Sequence, residues 1–177
     1  AQYAQELLHR IESKLMKHIK DKEFRQATQE LVALGALAQE FPERTKFAPY
    51  AVRMYKNVLD RAMDKHFYDV VGDLLLDLSQ LQPYYAAASR YLDRGLEKLW
   101  KQFGDCIKQR EYCTAVSIVK HMSKLAPVSS TALERCRLGI EVIRDRLFKS
   151  IENKNYSMAQ VLMQQMTKLE KMLPDAL

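Results

Sequence analysis

Cysteine and histidine, the side chains that most often ligate metals or act as nucleophile and base, are few and widely spaced in this chain. Cys106, Cys113 and His121 lie seven and eight residues apart, and Cys136 is remote from them. A structural zinc site uses closer pairs, such as two cysteines separated by two residues. A nucleophilic cysteine needs a base within hydrogen-bond reach, whereas His121 lies about 12 Å along a helix from Cys113. We therefore predict no metal site and no catalytic residue.

Two further motifs, one for metal and one for nucleotide, are incomplete. Glu6 and His9 form one Glu-x-x-His motif, but a di-iron site in a helical bundle needs two such motifs and two more carboxylates. The 5 glycines are scattered and form no phosphate-binding loop. The sequence therefore predicts no cofactor, and it favours a protein that is not an enzyme.

The composition favours a helical protein with a buried core. The chain has 177 residues, of which 47% are hydrophobic and 28% charged, and its 5 glycines and 5 prolines leave few turns. The longest apolar stretch, residues 31–38, is far shorter than the roughly 20 residues of a membrane span, so we expect no membrane partner. Three cysteines make no disulfide framework, which favours an intracellular location, cytoplasmic or nuclear. A first residue other than Met suggests a fragment of a larger protein.

An internal repeat of about 44 residues organises the sequence. Four short polar stretches each precede an aromatic residue, and these aromatics lie 43, 45 and 44 residues apart: Phe24, Phe67, Tyr112 and Tyr156. Apolar residues recur 13 and nine positions before them: Ile11, Met54, Leu99 and Ile143, then Leu15, Val58, Phe103 and Leu147. Because residues four apart share one face of a helix, these columns predict a first helix, helix A, in each repeat.

A second helix, helix B, follows each aromatic. Apolar residues recur three and seven positions after it: Ala27, Val70, Ala115 and Ala159, then Leu31, Leu74, Val119 and Met163. A proline follows each of these stripes: Pro42, Pro83, Pro127 and Pro174. Since proline can stop a helix but not continue one, it marks the end of helix B.

The repeat predicts an all-α fold, an α-solenoid of about four stacked antiparallel helix hairpins. We expect one helical-repeat domain over residues 1–177, with repeats at about 1–43, 44–84, 85–128 and 129–177. The expected helices cover residues 2–20, 24–40, 48–63, 67–81, 86–108, 112–125, 131–151 and 156–172. The 5 glycines, at positions 35, 72, 95, 104 and 139, would then lie inside helices. Each costs about 1 kcal/mol relative to alanine, and we expect close approach of neighbouring helices to offset this cost.

The four repeats resemble a known family, and the third carries the pattern most fully. Tyr112, Ala115, Val119, Met122 and Pro127, with Leu99 and Phe103 upstream, resemble the tetratricopeptide (TPR) pattern, in which an aromatic precedes Ala by three residues and a proline closes the unit. The units here are longer than the 34 residues of that family, and larger side chains are expected at its tight helix crossing. The resemblance implies a protein-binding scaffold whose groove is lined by helix A.

The residues next to the core columns on helix A are the candidate partner-binding residues. Twelve positions before each aromatic stand Glu12, Tyr55, Trp100 and Arg144, and eight before stand Met16, Leu59, Gly104 and Phe148. These rows have two interpretations. Either they pack between neighbouring hairpins, or they line a groove for a helix or peptide, with Trp100 and Tyr55 as aromatic anchors.

The charge leaves an alternative function open. The chain carries 28 Lys and Arg against 22 Asp and Glu, a net charge of +6, although the two signs are interspersed along the helices. The alternative is an RNA- or DNA-binding helical array, whose phosphate contacts would come from Lys98, Lys101, Lys108, Arg135, Arg137, Arg144 and Arg146.

Overall fold

The computed structural model describes residues 2–38 and 47–172, and within these every regular element is an α-helix. The helices are α1 (Gln2–Asp21), α2 (Phe24–Ala38), α3 (Ala48–Asp64), α4 (Tyr68–Leu81), α5 (Ala86–Gln109), α6 (Tyr112–Ser123), α7 (Ser130–Glu152) and α8 (Tyr156–Met172). The prediction of an all-α fold is confirmed. Among the described helices, none combines the length and the apolar character that a bilayer crossing requires.

The chain divides into two compact units. Unit 1 is Ala1–Gly95 and unit 2 is Leu96–Leu177, so α5 contributes its first part to unit 1 and its second part to unit 2. In unit 1, α1 packs against α2, α3 packs against α4, and α2 also packs against α3 and α4. In unit 2, α7 packs against α8, and both cover α6.

The helix boundaries follow the sequence closely. Every helix begins within one residue of its predicted start. Ser129 explains the beginning of α7, because its Oγ accepts a hydrogen bond from the Ala132 N–H at 3.2 Å, as an N-cap does. The predicted last residues of the second helix, 39 and 40, and the prolines at 42 and 174 lie outside the described residues.

Four turns of the same construction join α1 to α2, α3 to α4, α5 to α6 and α7 to α8. Each has a residue in the left-handed backbone region, and these residues lie 44 apart: Lys22 (φ 61°), His66 (φ 57°), Arg110 (φ 63°) and Lys154 (φ 57°). The next residue donates its N–H to the carbonyl five residues earlier, as in Glu23 N to His18 O at 2.8 Å and Glu111 N to Cys106 O at 2.9 Å. This is the Schellman motif that commonly ends helices.

These turns correct the predicted register of the second repeat by one residue. Counted from the left-handed residues, the equivalent aromatics are Phe24, Tyr68, Tyr112 and Tyr156, each the first residue of its helix. Phe67, which the sequence pattern selects, precedes α4 and is exposed, whereas Tyr68 is buried. The spacing of the aromatics is therefore 44 residues throughout, rather than 43, 45 and 44.

The corrected register accounts for the core of unit 1. Residues 13, nine and five before Tyr68, and three and seven after it, are all buried: Tyr55, Leu59, Met63, Val71 and Leu75. Of the residues predicted at these columns, Leu74 is buried, Val70 is exposed, and Met54 and Val58 are only half-buried. A shift by one residue turns a helical column by about 100°, which moves it from the core face to the flank.

Small residues let one pair of helices approach the next. A Cβ added at Gly139 of α7 would lie 2.8 Å from Val119 Cγ2 and 3.5 Å from Phe103 Cζ. A Cβ added at Gly95, 44 residues earlier, would lie 2.5 Å from Leu75 and 3.2 Å from Leu59, which are the equivalents of Val119 and Phe103. Glycine therefore lies where one pair of helices crosses the next.

We expect Gly139→Ala to lower the free energy of unfolding by about 1–3 kcal/mol, because the new methyl group would overlap the stiff Val119 side chain in the core. Gly104→Ala on α5 is the matched control, since a Cβ there meets no atom within 4 Å. It should raise the free energy of unfolding by about 0.5–1 kcal/mol through helix propensity alone. Urea denaturation measures both, and a shared sign would contradict the described packing.

The left-handed turn residues allow a second test. Lys154→Gly should raise the free energy of unfolding by about 0.5–1 kcal/mol, because glycine enters the left-handed region without the penalty of a Cβ. Asn153→Gly, at the preceding position with φ −81°, should give no gain. Thermal denaturation of the two variants distinguishes them, and an equal gain in both would exclude this explanation.

Candidate protein-binding surface

Tyr55 lies in the core of unit 1, which corrects its assignment to a binding groove. Its ring is fully buried and packs edge-to-face on Phe24, with ring centroids 4.8 Å apart. Its hydroxyl donates to the Phe24 carbonyl at 2.8 Å and lies 2.8 Å from Thr28 Oγ1. These contacts tie α3 to the start of α2, and they leave no ring face for a partner.

Leu59 is also buried, and the same register shift explains both residues. Tyr55 and Leu59 belong to the core columns 13 and nine residues before the aromatic, once that aromatic is Tyr68. The positions they were predicted to hold, beside the core, are taken by Lys56 and Asp60. These two form an ion pair of 2.7 Å along α3.

The polar contacts around Tyr55 extend to a carboxyl group on α4. The pKa of Asp77 is raised to about 6: burial is the largest cause, the nearby charge of Asp73 also raises it, and Arg25 and a hydrogen bond with Thr28 lower it. Burial likewise raises the pKa of Tyr55 above its ordinary value. The Asp77 carboxyl therefore costs the folded state stability when it is ionised.

The remaining residues of the predicted rows are accessible. Met16 is exposed on α1 in unit 1. In unit 2, Trp100 is half-buried on α5 and stacks on Phe103, with ring centroids 4.9 Å apart and an angle of 8° between the planes. Open space lies one turn further along α5, at Gly104.

On α7, the equivalents of Trp100 and Gly104 are Arg144 and Phe148. Arg144 is half-buried and Phe148 is exposed. The helices α5 and α7 contact each other where Gly139 meets Phe103. Unit 2 therefore carries three of the six predicted partner-binding residues, Trp100, Arg144 and Phe148, on two neighbouring helices.

A larger apolar surface lies on the last pair of helices. We call it the terminal face and define it by Leu147 and Ile151 of α7 and Tyr156 and Met163 of α8. Ile151, Tyr156 and Met163 are 46%, 67% and 56% exposed, whereas their equivalents 44 residues earlier, Ile107, Tyr112 and Val119, are 7%, 7% and 0% exposed. Tyr112 and Val119 lie on α6, which α7 and α8 cover. The terminal face thus presents to solvent the columns that the preceding pair buries.

The residues of the nucleic-acid alternative all lie in unit 2. Lys101, Arg137 and Arg146 are exposed, and Lys98, Arg135 and Arg144 are half-buried. Lys108 lies 3.5 Å from Asp105, one turn away on α5. Only Arg146 lines a cleft with other cations, Arg110 and Lys149, which sequence reasoning missed because they belong to two different repeats.

The thiols occupy three different environments. Cys136 is fully buried, and its Sγ donates to the Val119 carbonyl at 3.6 Å. Burial raises the pKa of Cys136 to about 12 and also raises the pKa of Cys106. A thiol held in its protonated form is a poor nucleophile. Cys113 is exposed, and no group of three metal-ligating side chains occurs among the described residues.

Comparison of the chain with protein-family models, with curated proteins and with solved structures finds no match. Assignment to a repeat family therefore depends on the internal 44-residue pattern and the packing alone.

We expect Asp77→Asn to stabilise unit 1 near neutral pH. The folded pKa of Asp77, about 6, exceeds the ordinary value of 3.8, so the ionised group opposes folding fully above pH 6 and ceases to do so below about pH 4. The asparagine side chain has the shape of aspartate and can accept the same hydrogen bond from Thr28, but it carries no charge. Unfolding at pH 7.5 should therefore cost about 1–3 kcal/mol more in the variant.

The same comparison at pH 4 should show little difference between Asp77→Asn and the wild type. Asp93→Asn, at an exposed position of α5 within unit 1, is the control and should change stability little at either pH. A gain that persists unchanged at pH 4 would exclude the ionisation of Asp77 as its cause.

Proposed function

We propose that this chain is a non-catalytic helical-repeat scaffold, an α-solenoid of four stacked helix hairpins, that binds a protein partner. Four turns with the same hydrogen bonds at 44-residue intervals support the repeat. The repeated contacts of Gly95 with Leu75 and of Gly139 with Val119 support the stacking of one hairpin on the next. These contacts also support the likeness to TPR hairpins.

The terminal face carries the proposal. In a hairpin array, each hairpin covers apolar side chains of the hairpin before it. The hairpin of α7 and α8 exposes Ile151, Tyr156 and Met163, together with Phe148. Burying each such side chain stabilises a complex by about 1.5–3 kcal/mol, and contiguous exposed apolar side chains are typical of interaction sites.

The packing of the described hairpins indicates what fits this face. In both observed crossings, a glycine of the incoming helix lies over the residue seven positions after the aromatic. Met163 holds that position in the last hairpin. We therefore infer that the partner presents an amphipathic helix with glycine or alanine at its crossing point, flanked by apolar residues.

A second copy of this chain fits the face poorly. The residue of α1 equivalent to Gly95 and Gly139 is Leu7, whose branched side chain is exposed. Leucine at the crossing would overlap Met163 if α1 took the place of an incoming helix. We therefore favour a different protein over head-to-tail assembly.

The test is a pulldown with two charge-matched double variants on α8. Tyr156→Lys with Met163→Lys places charge on the terminal face, whereas Gln160→Lys with Gln164→Lys adds the same charge at exposed polar positions. The first variant should capture at least about tenfold less of the partner protein, because the new charges on the terminal face would have to be desolvated on binding. The second should keep it. Circular dichroism should show unchanged helix content in both.

The alternative functions predict different results from the same samples. A nucleic-acid-binding array would gain affinity in both variants, since each adds two positive charges, and its captured material would disappear after nuclease treatment. If Trp100→Ala abolished binding and the terminal-face variant did not, the partner site would instead be the surface of α5 and α7 that carries Trp100 and Phe148. Equal capture by all variants would contradict a partner site on either surface.

A further inference from the structure

A cationic cleft opens in unit 2 between the turn that joins α5 to α6 and the turn that joins α7 to α8. It has a volume of about 190 Å³, and the polar residues that line it are Arg110, Arg146, Lys149, Ser150, Asn153 and Asn155. Three of these six carry a positive charge, and no carboxylate lines the cleft. The cleft is separate from the columns that form the terminal face, so an inference about it does not rest on the proposed function.

The three cations of the cleft make no ion pair within the described residues. Lysines elsewhere do, as Lys56 does with Asp60 at 2.7 Å and Lys108 with Asp105 at 3.5 Å. Positive charges brought together around a concavity repel one another, and an anion between them relieves that repulsion. The guanidinium groups of Arg110 and Arg146 also offer planar pairs of N–H donors that match the oxygens of a phosphate group.

The first residues of α8 add donors to the same cleft. Asn155 caps α8, because its Oδ1 accepts hydrogen bonds from the Met158 N–H at 3.3 Å and from Ser157 Oγ at 3.1 Å. With the oxygen so occupied, the amide NH2 group remains as a donor. The positive end of the α8 dipole adds to the potential at this point.

Unit 1 provides an internal comparison for the polar character of the cleft. The residues 88 positions before Arg146, Ser150 and Asn155 are Val58, Ala62 and Phe67. The equivalent region of unit 1 therefore has apolar side chains at these three positions, so the fold does not require the polar side chains of Arg146, Ser150 and Asn155. Cations recur in unit 1, where Lys22, Arg61 and Lys65 are the equivalents of Arg110, Lys149 and Asn153.

We propose that this cleft binds a phosphate monoester. Such a group carries nearly two negative charges at neutral pH and three acceptor oxygens, which match three cations and an amide donor gathered around a small cleft. A nucleic-acid strand fits less well, because stacking of its bases needs an accessible ring and the aromatic residue at the cleft, Tyr112, is buried. The monoester can come from a phosphorylated protein side chain or from a small phosphorylated molecule.

The experiment measures binding of four probes to the whole chain at constant ionic strength by isothermal titration calorimetry. The probes are O-phospho-L-serine, a short peptide that contains phosphoserine, inorganic phosphate, and a single-stranded oligothymidylate. We expect saturable binding of the monoesters, with backbone amide NMR shifts at Ser150, Asn153 and Asn155. Tighter binding of the phosphopeptide than of inorganic phosphate identifies a protein source, and equal or weaker binding identifies a small molecule.

Two charge-matched triple variants test the location. Arg110→Gln, Arg146→Gln and Lys149→Gln together should weaken O-phospho-L-serine at least tenfold. Lys101→Gln, Lys120→Gln and Lys168→Gln together remove three exposed cations of unit 2 that do not line the cleft, and should leave binding within about twofold. Arg146→Val, which installs the residue found in unit 1, gives a second variant that the fold accommodates and should also weaken binding.

Three results would overturn the proposal: no saturable binding of any monoester, equal losses in the two triple variants, or tighter binding of the oligothymidylate than of the phosphopeptide. A variant with Tyr156→Gln and Met163→Gln, which changes the terminal face without adding charge, should bind O-phospho-L-serine as the wild type does. Failure of the terminal face as a protein site would thus leave this result unchanged.

Discussion

One backbone hydrogen bond, from the residue after each left-handed position to the carbonyl five residues earlier, sets how the helices of every pair are joined. It occurs four times, and the left-handed residue is Lys, His, Arg or Lys rather than glycine. That conformation costs a residue with a Cβ about 1–2 kcal/mol. A cation at the carboxyl end of a helix offsets part of this cost, because it interacts favourably with the helix dipole. With the turn fixed, the faces that the two helices present to their neighbours are fixed as well.

Helix positions were largely predictable because apolar residues recur with helical spacing and prolines follow the stripes. The register of the second repeat was not, because Phe67 and Tyr68 are adjacent aromatics and either satisfies the pattern. The left-handed backbone of His66 is what identifies Tyr68 as the equivalent aromatic. Glycine at this position would have indicated a left-handed turn in the sequence, but histidine does not. Because the pattern selects Phe67 as the reference, it assigns Tyr55 and Leu59 to the candidate partner-binding positions, although both lie in the core.

The candidate surfaces were predictable only in part, since exposure depends on what covers a residue and not on its type. Tyr112 and Tyr156 hold the same place in the repeat, yet one is buried beneath the following helices and the other is open to solvent. Phe148 was found because it lies outside the core columns. Arg110 and Lys149 were missed because the repeat pattern compares equivalent positions, whereas the cleft joins positions that are not equivalent.

The cover that α7 and α8 provide for α6 also implies an order of opening. Helix α8 contacts α7 and α6 and leaves Tyr156 and Met163 exposed, whereas α6 is packed beneath both α7 and α8 and buries Tyr112 and Val119. Amide hydrogens of α8 should therefore exchange with solvent through small fraying motions, while those of α6 should wait for a larger opening of unit 2. A partner helix bound to Met163 and Tyr156 would suppress this fraying of α8. Binding at the terminal face would therefore slow the amide exchange of both α7 and α8.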